Sequence, residues 1–410
     1  MIHYSKKLDT IFTILIKNNI KPIIVGGYVR DFYLGIESKD IDVELYNLDS
    51  FEVLEKILKE FGEVNSVGKS FGVCKLTYDE DEIDFSLPRI DSKIASGHKG
   101  FKIDTSKELD FNTATKRRDF TINAIGFDIQ NKKILDPFDG QKDLQKKLLK
   151  AVDITTFTQD PLRVLRGVGF ASRFQFTLDE NLFNICKKMC IDKELYELPK
   201  ERIFEEIKKI LLKSPKPSKG FELFSKLKFL PYLKPLDTLN QNDFQKILNS
   251  LDRYKDFSTL LVKKDIVIML AILSSKFNPL EVESFIINIT NQKNILNDVK
   301  KLVSINTTNK FDDIELYQLS SKIILEDYLI YFASISNISK SNFNNLYKRA
   351  KDLKILHKPP KPLVMGRDLI KLGIKPSPKF AKILNIIYQD QLNLKIKTKD
   401  EAISSLKRLI

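Results

Sequence analysis

Two hydrophobic periods divide this chain, and the switch between them limits its fold more than any other feature of the sequence. In the first ~130 residues short apolar runs alternate with glycines and turn residues. KPIIVGG is a continuous apolar run closed by two glycines, which predicts a buried strand and a tight turn. DIDVELY alternates like a half-buried strand, and GVCKLTY and EIDFSLPR are strand-like runs separated by the acidic turn DEDE. Between them Leu8, Ile11, Phe12, Ile14, Leu15 and Ile16 fall near helical spacing, YVRDFYLG reads as a short helix ended by Gly35, and FEVLEKILKEFG as an amphipathic one. From about residue 141 the pattern turns helical, with QKDLQKKLLK, DPLRVLRGVGFASRF, ENLFNICKKMC and KERIFEEIKKILL and few strand signals. The predicted class is α+β: a small mixed sheet followed by an all-α remainder. Segments are expected at 1–140, 141–215, 216–356 and 357–410, with Pro-bearing breaks at SPKPSKG (214–220) and HKPPKP (357–362).

At 410 residues the chain exceeds one compact core, and the usual ~100–200 residues per domain predict two to four units. The absence of Trp leaves 28 Phe as the main aromatic core material. No apolar run approaches the ~20 residues needed to span a bilayer, and the first residues lack a small-residue cleavage site, so a cytoplasmic location is expected. Cys74, Cys186 and Cys190 make no disulfide framework; the last two, at i,i+4 with no histidine near in sequence, read as buried thiols. The net charge of +14 favours a polyanionic partner, nucleic acid above all, through counterion release. Residues 355–410 alone carry twelve Lys/Arg against four Asp/Glu, although a Lys-rich composition by itself would give the same bias.

Asp40 and Asp42 lie two apart on the predicted DIDVELY strand, so their carboxylates share a face with Cα atoms roughly 6–7 Å apart. Asp84, on a later strand, adds a third hard oxygen donor. Such a set suits Mg²⁺, which keeps waters and takes further ligands from phosphates, as in two-metal nucleotidyl transfer. D-x-D alone also describes a solvated strand face. Upstream, Gly26 and Gly27 would let backbone N–H groups approach a phosphate at a helix start, with Arg30 to neutralise it. The three features within seventeen residues describe a triphosphate site beside metal ions.

VGGYVRDFYLG followed by KDIDVE resembles the head-domain motif of class II tRNA nucleotidyltransferases and bacterial poly(A) polymerases, in the DNA polymerase β-like superfamily. VGKSFGVCKL, IDFSLPR, SGHKGF, KRRDFTINAIGFD, DPFDGQKDL, QDPLRVLRGVGFASRF and KERIFEEI resemble the family's further blocks in its order, and MGRDLIKLGIKPSPKFAKIL resembles its C-terminal region. The resemblance implies a nucleotidyltransferase head, a base-selecting neck, and a body and tail along the tRNA acceptor and TΨC arms. It places Arg118 on the triphosphate or ribose, with Asp119 and Asn123 bracing that segment. Asp160 and Arg163 match the pair that reads the incoming base: the carboxylate accepts from an exocyclic amine and the guanidinium donates to ring nitrogen or carbonyl positions, so cytosine and adenine can both be taken. Arg166, one turn beyond Arg163, can reach the phosphates. Arg202 and Glu205 resemble the neck element supporting the base-reading helix, Arg202 being read as a structural salt bridge. His98, in SGHKGF, is read as a loop histidine without assigned chemistry. In two departures, Gln159 stands where Glu often precedes the Asp, and Gly169 where many members have another Arg.

The implied activity is addition of CTP, CTP and ATP to the 3′ end of tRNA with Mg²⁺. Poly(A) synthesis, partial CC- or A-addition, and a catalytically idle RNA-binding protein are the alternatives. SVGKSFGVCKL looks more like the CCA-adding version, and intact Asp40, Asp42 and Arg118 argue against an idle protein. Some relatives carry a His-Asp phosphohydrolase after the neck; with only His3, His98 and His357 available, and DIVIMLAILSSKF lacking such ligands, no hydrolase activity is expected.

Overall fold

The computed structural model describes the chain except residues 1, 3, 5, 49, 66–72, 79–80, 94–100, 106–108, 261–264, 307–309, 337, 374, 377 and 410 and the side chains of 7, 51, 81, 90–93 and 101–105. His3, His98 and the SVGKSFG stretch therefore lie outside the described residues. Contacts divide the chain into two compact units, Met1–Leu233 and Lys234–Ile410.

The first unit opens with α1 (Lys7–Lys17), β1 (Lys21–Val25), α2 (Gly27–Tyr33), β2 (Ile41–Tyr46), α3 (Phe51–Leu58), β3 (Glu63–Asn65), β4 (Val73–Tyr78) and β5 (Asp81–Ser86). After β6 (Arg89–Lys93) and β7 (Phe101–Thr105) come α4 (Phe111–Thr115), β8 (Gly126–Asp128) and β9 (Lys133–Leu135). Among the described residues the main sheet has the order β3-β4-β5-β2-β1-β8-β9. It is mixed, since β2 and β5 run parallel while the other neighbours are antiparallel. The continuous apolar run of β1 sits inside this sheet and is buried except at its first residue. Leu8, Ile11, Phe12 and Leu15 of α1 are buried, as the helical spacing predicts.

β2 sets up the functional face. Its apolar residues Ile41, Val43 and Leu45 are buried on one side, which forces Asp42, Glu44 and Tyr46 onto the other. Tyr46 packs there with Ile23, Val25 and Ala114, with Phe111 and Leu135 alongside, so α4 covers the outer part of that face. Asp40 lies one residue before the strand rather than within it. The two-strand edge formed by β8 and β9 has only three residues per strand, too short for a period of two to show in the sequence.

The helical part of this unit comprises α5 (Gly140–Gln145), α6 (Ile154–Thr158), α7 (Leu162–Phe174), α8 (Glu180–Ile191), α9 (Lys200–Lys213) and α10 (Pro217–Lys226). Two short strands interrupt it, β10 (Leu148–Leu149) and β11 (Thr177–Leu178), paired in parallel. The helix expected over QKDLQKKLLK thus ends early: Lys147 adopts φ 54 and the apolar pair after it becomes β10. α7 buries Val164, Leu165 and Val168, α9 buries Phe204, Ile207 and Ile210, and the two helices pack together.

The second unit is helical among its described residues: α11 (Gln241–Phe257), α12 (Ile266–Leu273), α13 (Pro279–Ile289), α14 (Lys293–Ser304), α15 (Asp313–Ser320), α16 (Leu325–Ile335), α17 (Lys340–Asp352), α18 (Gly366–Lys371), α19 (Lys379–Leu392) and α20 (Lys399–Leu409). DIVIMLAILSSKF forms α12, buried from Ile268 to Leu273 and contacted by α11, α14 and α16. The last three helices close a core of their own around Val364, Leu369, Ile387 and Leu406. No helix among the described residues is long and apolar enough to cross a membrane.

Gly140 opens α5 against the turn at Thr121, where an added Cβ would lie 2.3 Å from the Thr121 carbonyl oxygen and 2.8 Å from Ile125 Cγ1. Gly140→Ala is expected to cost about 1–3 kcal/mol in urea denaturation; an unchanged midpoint would contradict this packing.

Candidate active site

A cleft of about 470 Å³ opens in the first unit above the polar face of β2. Among the residues singled out from the sequence, Gly26, Gly27, Arg30, Asp42, Arg118, Asp160, Arg163 and Arg166 line it. Asp40 and Asp84 are outside the lining, but the parallel register sets Asp84 directly beside Asp42 on the same face.

Asp42 remains open to solvent while the surrounding protein desolvates its carboxyl. That burial, with Asp84, Asp40 and Glu44 nearby, raises its pKa against the opposing pull of Arg118. Asp84 Oδ1 is buried without a hydrogen-bond donor, although Lys75 Nζ stands 3.6 Å away at ion-pair range. Two adjacent carboxylates, one with its pKa raised by burial and then by like charge and one with an unsatisfied oxygen, make a donor set that fits a hard divalent cation. Among the described residues no three His, Cys, Asp or Glu side chains converge on a single ion position. The fit therefore rests on the Asp42–Asp84 pair.

Beneath this pair lies a buried charge that the sequence reading did not single out. Glu44 is 0% exposed, and its Oε1 accepts from Arg118 Nη2 at 2.8 Å and Arg117 Nη2 at 2.9 Å, while Tyr46 donates its hydroxyl to Oε2 at 3.0 Å. Burial opposes ionisation, but the two guanidinium groups prevail and hold the carboxyl below its ordinary pKa. The strand alternation contained the signal, because residues 40, 42 and 44 share one face; a lone Glu in a strand reads as solvated until its two arginine partners are placed.

Arg118 also donates Nη1 to the Asn123 carbonyl at 3.2 Å, while its buried Nε has no acceptor. Gly26 is required here: its φ is +71°, and a Cβ would lie 2.8 Å from Arg118 Nη1 and 3.7 Å from Asp42 Oδ2. The Gly26 N–H is already donated to the Ile125 carbonyl, so this residue serves the cleft through its missing side chain.

Several cleft arginines are engaged by protein partners. Arg30 is buried, with Nε on Asp31 at 2.8 Å, Nη2 on Asp31 at 2.7 Å, Nη1 on Asn123 at 2.8 Å, and its guanidinium over Phe170 and Phe174. Burial lowers its pKa against the pull of Asp31. Arg30 thus lines the cleft with its guanidinium nitrogens engaged by Asp31 and Asn123. Arg166 places Nε and Nη2 each 2.7 Å from Asp119 Oδ2, so it ties α7 to the RRD segment. Asp119 Oδ1 receives Asn123 Nδ2 and the Phe120 N–H, both at 2.9 Å, as expected of a brace. Arg163 donates to the Thr156 carbonyl at 3.0 Å and the Arg117 carbonyl at 2.5 Å. Asp160 Oδ1 receives the Leu162 N–H at 3.1 Å at the start of α7.

Arg202 enters the lining from α9, and its Nη1 is buried without an acceptor. The salt bridge expected of Arg202 is not found among the described residues. Arg89, Arg117 and Phe170 also line the cleft without having been singled out. They come from three separate elements, and no short motif joins them.

Three family models match in succession. Residues 23–150 match the poly A polymerase head domain, residues 175–237 the model described as "Probable RNA and SrmB-binding site of polymerase A", and residues 261–406 tRNA nucleotidyltransferase domain 2. The chain is 34% identical over 216 residues to a multifunctional CCA protein of Neisseria meningitidis serogroup C, covering 53% of this chain and 49% of that protein. It is 36% identical over 195 residues to a CCA-adding enzyme of Francisella tularensis, covering 47% and 51%. The chain thus matches about half the length of these relatives. The Bacillus stearothermophilus CCA-adding enzyme in complex with CTP superposes with TM-score 0.77 at 19% identity, over 99% of this chain and 98% of that one. The Thermotoga maritima CCA-adding enzyme complexed with tRNA gives 0.69 at 20%, over 99% and 96%. At such identity these likenesses show the fold.

Removing the Glu44 charge leaves two cleft arginines without their shared counter-ion. Glu44→Gln is expected to lose about 3–5 kcal/mol of stability by urea denaturation. Because the folded-state pKa is depressed, the wild type keeps this contribution above the ordinary carboxyl pKa near ~4.3 and loses it as pH falls further. Acid unfolding of Glu44→Gln should be correspondingly shallower; an identical acid limb in both proteins would refute the assignment.

Proposed function

We propose that this chain, which belongs to the class II tRNA nucleotidyltransferase and poly(A) polymerase family, adds C, C and A to the 3′ end of tRNA, taking CTP and ATP and releasing pyrophosphate. The observation that carries the reading is a single cleft in which Asp42, Arg118, Asp160 and Arg163 meet. The matched CCA-adding relatives and the head, RNA-binding and tRNA nucleotidyltransferase models support it.

Family members generally work with divalent metal ions. Here the ion is proposed to be Mg²⁺, held by Asp42 and Asp84 with Asp40 at the exposed edge. Bound there, it supplies charge neutralisation at the phosphates and activation of the 3′-hydroxyl. Arg118, held from below by Glu44, presents its unpaired Nε to the triphosphate or ribose. Arg202 Nη1, buried in the same lining without an acceptor, is assigned to the nucleotide as well, because an unsatisfied guanidinium donor is costly unless the ligand completes it. Gly26 and Gly27 keep the cleft floor clear of side chains. Arg30 and Arg166 act as braces that fix the walls.

Asp160 and Arg163 are proposed to face the base. A carboxylate accepts the exocyclic amine of cytosine or adenine, and an arginine donates to the neighbouring acceptor, whereas guanine and uracil offer a carbonyl where the amine should be. The backbone anchors on Arg163 and Asp160 hold this pair in place, so the protein serves as the template. Residues 1–140 are proposed as the catalytic head, 141–215 as the base-selecting neck, 216–356 as the tRNA-binding body and 357–410 as the basic tail, whose phosphate contacts position RNA without reading sequence.

Incubation with tRNA transcripts ending before CCA, after CC and after CCA, and with unrelated RNA, followed by product sequencing, tests the activity. Addition that stops after CCA is expected; long A tails on unrelated RNA would overturn the reading. Asp42→Asn should abolish addition, leave tRNA affinity nearly unchanged because that affinity comes from distributed basic surface, and raise the melting temperature without metal by removing a desolvated charge that also faces neighbouring carboxylates. Retained turnover would remove Asp42 from the metal site.

A further inference from the structure

Gly169 stands in the middle of α7, where glycine is a poor choice, and its surroundings do not explain it. Its neighbour Gly167 has a packing reason, since a Cβ there would press on the Phe120 ring at 3.3 Å. At Gly169 the nearest atoms to an added Cβ are Glu206 Oε2 and Ile210 Cγ1, both at 3.9 Å, ordinary van der Waals contact. An alanine would fit. A long side chain at this position would instead project toward a pocket of about 220 Å³ formed by residues of α7 and α9.

That pocket is cationic. Arg166 and Arg173 reach it from α7, and Lys209, Lys213 and Glu206 from α9. Arg166 is neutralised by Asp119 at 2.7 Å, and Lys209 by Glu206 at 2.7 Å. Arg173 lies over the Phe174 ring at 4.9 Å, and neither it nor Lys213 has an ion pair among the described residues. Two positive charges therefore remain for an external anion. Arg166 and Phe170 line both this pocket and the nucleotide cleft, so the two are contiguous.

We propose that the Gly169 pocket binds a phosphate group next to the nucleotide cleft, with Arg173 and Lys213 as its cationic partners. The inference rests on the proposed nucleotidyltransferase function, which supplies two phosphate sources: the backbone of the RNA 3′ segment and the triphosphate of the incoming nucleotide. Either would meet two donors on adjacent helices, with no side chain at position 169 to block its approach.

The test compares the full-length wild type with Arg173→Gln, Lys213→Gln, Gly169→Leu and the control Gly169→Ala, each first shown to be folded by circular dichroism. Fluorescence anisotropy with a labelled tRNA transcript over a salt series reports RNA binding, and isothermal titration reports CTP binding. The two charge variants and Gly169→Leu are expected to weaken one ligand several-fold, while Gly169→Ala leaves both unchanged. A loss confined to tRNA, with the slope of log K against log salt shallower by about one for each charge removed, identifies an RNA phosphate. A loss confined to CTP identifies the triphosphate. If the wild type binds both ligands and the three variants bind them equally well, the pocket is not a phosphate site. Wild-type protein that binds neither ligand would overturn the proposed function, and this inference with it.

Discussion

The buried carboxylate of Glu44 is the interaction on which the cleft depends. A lone charge with 0% exposure would be expelled or protonated; this one stays ionised because two guanidinium groups share its Oε1. The exchange is mutual. Arg117 and Arg118 are held at fixed positions beside Asp42, and residues far apart in sequence become one site.

From that anchor the constraints run outward into the helices. The Arg117 carbonyl receives Arg163, so the segment fixed by Glu44 also fixes the first turn of α7. Asp119, next in sequence, receives Arg166 and Asn123, and Asn123 in turn receives Arg30. Three consecutive residues, Arg117, Arg118 and Asp119, thereby join the sheet, α2 and α7. Such a network is rigid only if it is complete, because each buried polar group left without a partner is costly. Among the buried guanidinium nitrogens without acceptors, Arg118 Nε and Arg202 Nη1 belong to residues that line the cleft, where a ligand can complete them.

Much of this was legible from local pattern. The apolar run of β1, the alternation of β2 and the amphipathic spacing of α7 and α9 each state their own structure, since burial on one face imposes a period that sequence displays. Asp42 and Asp84 could be placed on one sheet for the same reason. What could not be read was pairing at long range. Nothing local shows that Glu44 meets Arg117 and Arg118 more than seventy residues later. Nor does it show that Arg30 is committed to Asp31 and Asn123, or that the guanidinium of Arg202 has no salt bridge among the described residues. An arginine looks the same in sequence whether its partner is a carboxylate or a substrate. The short strands β8 to β11 escaped notice for a different reason: two or three residues are too few to show a period.

In the proposed function the protein itself selects the nucleotide, with Asp160 and Arg163 as the template. Isothermal titration of the wild type with CTP, ATP, GTP and UTP in the presence of Mg²⁺ and the absence of RNA tests it most directly. If a fixed carboxylate and guanidinium read the base, CTP and ATP should bind about 10-fold or more tighter than GTP and UTP, the discrimination expected of one well-placed bidentate pair. Equal affinity for all four nucleotides would contradict it.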